Sequence, residues 1–407
     1  MLWYRDFDFV IPSRHGRGPA PLFSNGRLFH EGNDGLIAVD AYNGHELWRY
    51  KIEGVLSAYD GDELMGASGT GSNYCLGGDF VFIRHEQHCF QLDAATGQVV
   101  HTFEVPPSKD PKAEKTKQPW GYIAWHDGML IGSAADPSHV VAFRYHASTG
   151  DMTKQLTESN RLFAFDTKTG KMKWQYESED SIRHNAIAIA NEKLYLIDRP
   201  LADFDRTKES KRNPIPKTAQ HALGQLLCLS IHDGYLLWKN KEDIYGTMIA
   251  VSAENDALLM SYQPTSFRLS SEKGGRLSVF NSTTGEKTWE AKANYSSRPL
   301  INGKTVYAQG GAWNLKTGKP QPFNFKRSYG CGILASCENM MFFRSATLGY
   351  FDFNKNENIE NYGGVRPGCW INAIPAGGLV LVPDASAACS CSYLNKSWFA
   401  LETQAAD

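Results

Sequence analysis

Short stretches of alternating apolar and polar residues fill the chain, and turn residues separate them every few positions. The clearest stretches are Ile37 to Trp48 (IAVDAYNGHELW) and Phe163 to Trp174 (FAFDTKTGKMKW). In each, an acidic residue ends an apolar strand, a Gly follows four positions later and a Trp eight positions later. An Asp that starts a bend and a Gly with positive φ are typical of a hairpin turn. The pattern predicts two antiparallel strands joined by that turn.

Copies of this hairpin recur along the sequence, some with a changed first or last residue. They are centred on Ser230, Gly234 and Trp238; Asn281, Gly285 and Trp289; Asp93, Gly97 and His101; Asn314 and Gly318; and Asp352 and Asn356. Another strand pair precedes each hairpin, and eight such starts are present, the first being Pro21 to Phe29. Four strands per unit, repeating about every 40 residues, predict an all-β fold, an eight-bladed β-propeller with four-stranded antiparallel blades.

The two chain ends indicate how such a ring closes. Trp398 to Glu402 (WFALE) has the pattern of a third strand, and no fourth strand follows it. Leu2 to Val10 can supply that strand, which places Trp3 where Trp48 and Trp174 stand in their own units. We therefore expect a single domain over residues 1–407, closed by pairing of the N- and C-terminal strands. Because Met1 opens directly onto a strand, we also expect a start trimmed from an exported precursor, and a periplasmic or extracellular location.

Composition and charge narrow the function classes. The 407 residues are 42% hydrophobic and 12% aromatic, which is ample for an ordered core, and the formal net charge is -2. Such a balance gives no field that would attract nucleic acid, so any anion binding must be local. No run approaches the ~18 apolar residues of a membrane-spanning helix. We expect a soluble monomer without a membrane span or a nucleic-acid partner.

Long polar segments are predicted to gather on one face of the ring. In a four-stranded blade, the start of the innermost strand and the loop between the second and third strands lie on the same face. Long loops in a compact fold are more often functional than idle. The segments expected on this rim are residues 106–118, 134–160, 200–224 and 263–275.

The segments that enter the innermost strands on that face are rich in Arg, His and aromatic residues. Several guanidinium groups directed at one funnel favour an anionic ligand, since guanidinium binds carboxylate or sulfate in a bidentate manner. Structural ion pairs are the alternative explanation. The predicted ligand is an acidic polysaccharide or oligosaccharide, with uronic-acid or sulfate groups.

If the ligand is a uronic-acid polymer, β-elimination is the candidate reaction of a polysaccharide lyase. It needs a base for the α-proton, an acid for the leaving oxygen and a cation that neutralises the carboxylate. His15 or His184 is the candidate base and Tyr245 or Tyr329 the candidate acid. The candidates for neutralising or otherwise binding the substrate are Arg14, Arg17, Asn73, Trp120, Arg183, Arg298, Arg366 and Trp370.

The strings AVDAYNGHELW, AFDTKTGKMKW and VFNSTTGEKTW resemble the tryptophan-docking motif of the pyrroloquinoline-quinone (PQQ) type of propeller repeat. That superfamily includes quinoprotein alcohol and glucose dehydrogenases and the non-catalytic outer-membrane assembly factor BamB. The resemblance covers nearly the whole chain and implies the fold, but it says little about chemistry. It makes a non-catalytic binding or scaffold propeller of the BamB type the alternative function.

The same resemblance suggests a PQQ-dependent dehydrogenase as a further alternative function, but the residues disfavour it. Those enzymes cover the cofactor with a disulfide between adjacent cysteines and bind Ca²⁺ through acidic and amide side chains. This sequence has no Cys-Cys pair, and Asp and Glu are scarce in the funnel segments. We therefore expect neither PQQ nor another cofactor.

Four cysteines in the last quarter of the chain leave several interpretations open. Cys331 and Cys369 stand at equivalent places in adjacent units, and Cys389 and Cys391 follow. A structural disulfide, buried thiols and a metal site each account for them. The spacing is not that of a zinc motif, so the predicted set of site residues contains no metal ligand.

Overall fold

The computed structural model describes residues 1–11, 19–56, 73–108, 117–136, 156–201, 222–262, 275–328, 334–355, 358–367, 373–383 and 397–402. Within these ranges the only regular secondary structure is the β-strand, which confirms the all-β class. The strands form antiparallel sheets in which chain neighbours pair with each other. Among the described residues there is no helix that is long and apolar enough to span a membrane.

Two regular four-stranded meanders follow the N-terminal strand β1 (Trp3–Arg5). The first sheet consists of β2 (Leu22–Ser24), β3 (Arg27–Gly32), β4 (Gly35–Asp40) and β5 (Glu46–Lys51). The second sheet consists of β6 (Tyr74–Gly77), β7 (Phe80–His85), β8 (His88–Asp93) and β9 (Val99–Glu104).

The third sheet has seven strands. They are β10 (Trp120–His126), β11 (Met129–Ala135), β12 (Glu158–Asp166), β13 (Met172–Ala190), β14 (Lys193–Asp198), β15 (Gly224–Ser230) and β16 (Leu236–Ile244). Strand β13 is 19 residues long, and its first part pairs with β12 while its last part pairs with β14. The described residues thus form seven sheets, and the predicted count of eight blades is not confirmed by the sheet count. Seven sheets are present because the chain passes from one unit to the next without a break in extended backbone.

Four more sheets complete the fold. The fourth and fifth contain β17 (Met248–Ser252), β18 (Ala257–Ser261), β19 (Arg276–Asn281), β20 (Lys287–Lys292), β21 (Leu300–Asn302), β22 (Thr305–Ala308), β23 (Gly311–Asn314) and β24 (Pro320–Gln321). The sixth contains β25 (Ala335–Ser336), β26 (Met340–Ser345), β27 (Thr347–Asp352) and β28 (Glu360–Tyr362). The seventh has the order β1-β31-β30-β29, with β29 (Ile374–Ala376), β30 (Leu379–Val382) and β31 (Trp398–Glu402).

The last sheet joins the two ends of the chain. Trp3 lies opposite Ala400 in the antiparallel pair of β1 and β31. The pairing covers three residues of the segment from Leu2 to Val10 that we expected to contribute. Trp3, Leu28 and Trp398 share one apolar cluster, so the last sheet also packs against the first.

The core consists of apolar clusters between successive sheets. The first strands of neighbouring sheets contact each other, as β2 does with β6 and β25 with β29, so these strands lie innermost. Trp48, for example, packs with Phe29 of its own sheet and with Val81 and Leu92 of the next. Each sheet buries its faces against its neighbours, which is the packing that a propeller requires.

Aromatic residues of the outer strands lock these sheets together. Trp48 donates its Nε1 hydrogen to the carbonyl oxygen of Ala94, 3.1 Å away, and its ring lies over Gly97. A Cβ at Gly97 would come within 2.6 Å of that ring, and φ is +71°, so only glycine fits this turn. Equivalent pairs are Trp3 with Gly44, Trp174 with Gly234, Trp238 with Gly285 and Trp289 with Gly318.

Candidate functional site

Seven of the twelve predicted site residues lie in the described part of the chain: Asn73, Trp120, Arg183, His184, Tyr245, Arg298 and Arg366. Arg14, His15, Arg17, Tyr329 and Trp370 lie outside the described residues, as do the central parts of the four rim segments. The roles of these five residues remain predictions.

A buried arginine links the second and third sheets at the start of the inner strands. Arg84, at the end of β7, donates from Nη2 to Oδ1 of Asn73 at 2.6 Å and from Nη1 to the carbonyl oxygen of Trp120 at 3.1 Å. Asn73 immediately precedes the inner strand β6, and Trp120 begins β10. One guanidinium group therefore fixes the relative position of two inner strands.

A chain of hydroxyl groups continues from there to His184. The amide of Tyr122 donates to Ser133 Oγ at 2.6 Å, Ser133 Oγ lies 2.7 Å from Ser159 Oγ, and Ser159 Oγ lies 2.7 Å from His184 Nε2. A Cβ at Gly121 would come within 2.8 Å of all three side-chain atoms. The absence of a side chain at Gly121 is what allows this close approach.

His184 is held as a neutral ring. It is 3% exposed, and burial lowers its pKa to about 3, with the positive charges of Arg84 and Arg183 acting in the same direction. Glu158 opposes this shift only in part. A ring with so low a pKa is a weak proton acceptor near neutral pH, and its Nε2 is already engaged by Ser159.

Arg183, next to His184, belongs to a buried ion pair. Its Nε donates to Glu158 Oε1 at 2.6 Å, and Ser181 Oγ donates to Glu158 Oε2 at 3.0 Å. The side chains of Arg183 and Glu158 are 5% and 2% exposed. Glu158 and Arg183 are direct cross-strand neighbours of β12 and β13, so this pair belongs to the sheet itself.

Glu31, the fifth residue of β3, has a carboxyl group whose protonation state is unusual for an acidic residue. It is fully buried, and burial raises its pKa to about 8 although Arg84 and the Asn73 amide oppose the shift. No described donor reaches hydrogen-bonding geometry with either carboxyl oxygen. Because burial disfavours the ionised carboxylate more than Arg84 and Asn73 favour it, the neutral form prevails near neutral pH.

The other predicted residues that the structure describes are Tyr245, Trp120, Arg366 and Arg298. Tyr245 is 1% exposed, its hydroxyl lies 2.9 Å from Ser278 Oγ, and the guanidinium of Arg276 stacks 3.9 Å above its ring. Burial raises the pKa of Tyr245 well above its ordinary value. Trp120 is fully buried and packs edge-on against Phe163, so no ring face is open to a sugar. Arg366 is also buried, whereas Arg298 is half-buried.

Five residues of the site were not predicted from the sequence: Glu31, Arg84, Ser133, Ser159 and Glu158. A detectable pattern was present: the second strands RLFHEG, FVFIRH and MMFFRS each carry one charged residue at the fifth position of an otherwise largely apolar run. These residues are Glu31, Arg84 and Arg344, and each is at most 8% exposed. A charge at a core position of a strand indicates a paired or functional group.

Taken together, the described contacts form a buried polar network that spans the first three sheets. Its members are Glu31, Asn73, Arg84, Ser133, Ser159, Glu158, Arg183 and His184. Most of their hydrogen-bonding groups contact one another, so the network fixes the inner strands and offers few free groups for catalysis. Glu31 is the member whose proton can be exchanged near neutral pH.

The cysteines of the described part are free thiols. Cys89 and Cys228 are buried, Cys75 is half-buried and Cys337 is exposed. Cys331, Cys369, Cys389 and Cys391 lie outside the described residues, and their state remains open. No group of three or more His, Cys, Asp or Glu side chains within the described ranges is placed to hold a metal ion.

The meander sheets and repeated tryptophan docking define a propeller of the PQQ type. Two family profiles match the sequence: "Glucose/ethanol/alcohol dehydrogenase, beta-propeller domain" over residues 12–194 and "Outer membrane protein assembly factor BamB" over residues 113–326. The second covers more than half of the 407 residues. The chain belongs to the PQQ-type β-propeller family that this second profile describes, as the sequence motifs predicted.

Two solved structures with TM-scores above 0.5 have the same fold, and a third similarity is weaker. A quinohemoprotein alcohol dehydrogenase from Comamonas testosteroni has a TM-score of 0.58 at 13% identity, covering 94% of this chain and 72% of that chain. The computationally designed Ika8 protein has a TM-score of 0.55 at 10% identity, covering 92% and 96%. BamB from Moraxella catarrhalis has a TM-score of 0.47 at 17% identity, covering 82% and 81%. No curated protein matches the sequence.

The described acidic residues near the inner strands do not fit the calcium site of a PQQ enzyme. Glu158 is bound by Arg183 and Ser181, and Asp198 accepts the amide hydrogens of Glu179 and Asp180 at 2.7 and 3.0 Å. Glu31 is held largely neutral by burial. A hard divalent cation needs ionised carboxylate oxygens that are open to it, and these three groups do not provide them.

Proposed function

We propose that this protein is a non-catalytic binding propeller of the BamB type, acting in the periplasm on extended polypeptide segments. The observation that carries the proposal is the state of the outer strands. Strands β5, β9 and β16 lie at the ends of their sheets, so one backbone edge of each is paired with no other described strand. A free edge that carries apolar side chains is suited to accept a further strand.

Apolar side chains are exposed along these edges. Leu47 of β5 is 43% exposed, Val99 and Val100 of β9 are 44% and 55%, and Leu236 and Leu237 of β16 are 48% and 50%. Large aliphatic side chains that an edge strand exposes to solvent favour contact with another chain. The described candidates for acid–base chemistry instead lie buried in hydrogen bonds to their neighbours, which supports binding over elimination.

The same proposal includes the architecture of the ring. We infer eight blades, with the seven-stranded sheet counted as two that share β13, closed by β1 beside β31. Trp174 docks on Gly234 within that sheet in the way that Trp48 docks on Gly97 between two sheets, which supports the division. The description of the matching family as an outer-membrane protein assembly factor supports the periplasmic location.

The test is a binding measurement with short labelled peptides. Strands of outer-membrane proteins alternate apolar and polar residues over about 10 positions. We expect fluorescence anisotropy to show that such a peptide binds, and that its scrambled counterpart of the same composition binds about tenfold more weakly. Val100→Lys and Leu237→Lys should weaken binding, whereas Lys173→Gln, at a neighbouring outer-strand position, should not. Equal binding of both peptides, or none, contradicts the proposal.

The competing function is elimination on an acidic polysaccharide. Its product absorbs near 235 nm, so the same preparation is incubated with a panel of uronic-acid polymers. A rise in absorbance that scales with protein concentration and disappears in both His184→Ala and His15→Ala would establish a lyase. We expect no rise, because burial lowers the pKa of His184 to about 3, which makes it a weak base, and because Ser159 engages its Nε2.

A further inference from the structure

At the junction between the sixth and seventh sheets, the tryptophan position of the repeated hairpin holds a residue that is not aromatic. In β28, Glu360 stands opposite Tyr350, as Trp48 stands opposite Ala38 in the first sheet and Trp174 opposite Ala164 in the third. Glu360 therefore occupies the tryptophan position of its unit. Its carboxylate accepts a hydrogen bond from the Tyr350 hydroxyl at 2.6 Å and does not enter the junction as an indole would.

A groove of 730 Å³ opens at this place. It is lined from the sixth sheet by Phe342, Leu348 and Tyr350 and from the seventh sheet by Leu379, Val380 and Leu401. These residues stand where the first two sheets hold Phe29, Leu36, Ala38, Val81 and Leu92 around the ring of Trp48. The groove is thus the counterpart of a tryptophan-docking site that no tryptophan of the described residues occupies.

The other junctions show how the groove depends on the missing ring. Where five indoles are present, each donates its Nε1 hydrogen to a backbone carbonyl oxygen at 2.6 to 3.2 Å. At the junction where the smaller His101 replaces Trp, a cavity of 340 Å³ remains. Between the fifth and sixth sheets, Phe323 packs 5.1 Å from Tyr307 and 5.2 Å from Phe351. Of these two cavities, the larger lies at the junction whose tryptophan position holds Glu360.

The lining also selects the charge of a ligand. Glu402 is the only charged side chain among the described residues that line the groove, and no Lys or Arg lines it. A carboxylate at the edge of an apolar groove favours a cation or an N–H donor and disfavours an anion.

We propose that this groove binds an indole side chain of a partner polypeptide, flanked by a cationic residue, in the place of the missing tryptophan. The inference rests on the proposed function in that the ligand is a polypeptide, and it assigns that ligand an anchor site. Buried aromatic anchors contribute a large share of binding energy in protein interfaces. At five other places the protein's own tryptophan occupies the equivalent docking site. The groove therefore has a shape that suits the tryptophan side chain of a partner polypeptide.

The test uses a variant, Glu360→Trp, whose own side chain is expected to occupy the groove. The probe is a labelled peptide of nine residues with a central Trp between two Lys, compared with the same peptide carrying Ala in place of Trp. We expect the Trp peptide to bind the wild type and Glu360→Gln equally, and Glu360→Trp about tenfold more weakly, while Glu360→Trp raises the melting temperature because the new ring completes the junction. Equal binding by wild type and Glu360→Trp overturns the proposal.

A second measurement on the wild type does not depend on a variant that folds. Cys337 is exposed and lines the groove, so its alkylation can be followed by mass spectrometry of the fragment that contains it. The Trp peptide should slow this alkylation and the Ala peptide should not; equal rates would contradict the site. Binding of the alternating peptide together with equal binding of the Trp peptide to wild type and Glu360→Trp would overturn the groove alone. Absence of binding by every peptide would overturn both the groove and the proposed function.

Discussion

Buried polar side chains decide the properties of the inner strands at the scale of single residues. Most of these groups have partners: Arg84 holds Asn73 and the Trp120 carbonyl, and Arg183 holds Glu158. Glu31 differs, because neither of its carboxyl oxygens has a described donor in hydrogen-bonding geometry. Its state therefore depends on pH in a range that experiments can reach.

Glu31 is predicted to make the stability of the protein fall as pH rises. Its pKa of about 8 in the folded state lies above the ordinary value of 4.5, so the folded state binds the proton more tightly than the unfolded state. The resulting stabilisation is complete below pH 4.5 and is lost as pH approaches 8. Glu31→Gln should remove this dependence and gain on the order of 3 kcal/mol relative to wild type between pH 5 and 7.5.

Urea unfolding at a series of pH values measures this effect. Glu104→Gln is the matched control, since it removes a carboxyl group that is 76% exposed, and its unfolding curve should follow that of the wild type at each pH. A constant difference between Glu31→Gln and wild type over this pH range would show that Glu31 is ionised in the folded state.

Which polar residues meet could not be predicted from the sequence alone. Arg183 and His184 were found by their place before an inner strand, but their partners Glu158 and Ser159 lie 25 residues away on another strand. Such pairs depend on strand register, which the hairpin pattern sets only within a unit. The charged residues at the fifth position of three second strands were the one sequence feature that pointed to the network.

The tryptophan-docking hairpin is the repeated element of the molecule, and the spacing of its Asp, Gly and Trp was enough to predict it. The prediction succeeded because each contact in the hairpin is local or reaches only the next unit. The sheet boundary at β13 was not predicted, because nothing in the local pattern distinguishes a strand that ends at a blade from one that continues into the next. Likewise, the missing ring at Glu360 was visible as a degenerate repeat, but the groove it leaves was not.

Substitutions at two glycines distinguish the free-energy cost of disturbing the tryptophan-docking contact from the cost of backbone strain. Gly97 and Gly303 both have positive φ, +71° and +54°, but a Cβ at Gly97 would meet the Trp48 ring, whereas nothing lies within 4 Å of one at Gly303. Gly303→Ala should destabilise by about 1 kcal/mol from strain alone. Gly97→Ala should cost about 1 to 3 kcal/mol more, because the ring must shift. Equal losses in thermal unfolding would show that Trp48 is not held against Gly97.

At the scale of the whole molecule, the two chain ends share one sheet. Trp3 is 6% exposed, donates its Nε1 hydrogen to the carbonyl oxygen of Ala41 at 2.7 Å and packs over Gly44. It therefore connects the last sheet to the first. The general arrangement was predictable from the unmatched third strand Trp398–Glu402, whereas the shortness of β1 was not.

Loss of the Trp3 contact is predicted to destabilise the entire ring. Trp3→Ala should lower the free energy of unfolding by about 3 to 5 kcal/mol, the usual cost of removing a large buried aromatic ring. Tyr235→Ala is the control, because that side chain is 73% exposed and should have little effect. Limited proteolysis should show cleavage throughout the Trp3→Ala chain. Cleavage confined to the first residues would mean that the ring does not depend on this contact.

The most direct test of a polypeptide-binding propeller is amide hydrogen exchange with and without the alternating peptide. The account predicts slower exchange in the outer strands β5, β9 and β16, where a new strand would pair with free backbone groups, and unchanged exchange at the starts of the inner strands. Protection confined to Asn73, Trp120 and the Arg183–His184 segment would instead place the ligand in the axial funnel. That result would contradict binding at the outer edges and would support an acidic ligand in the funnel.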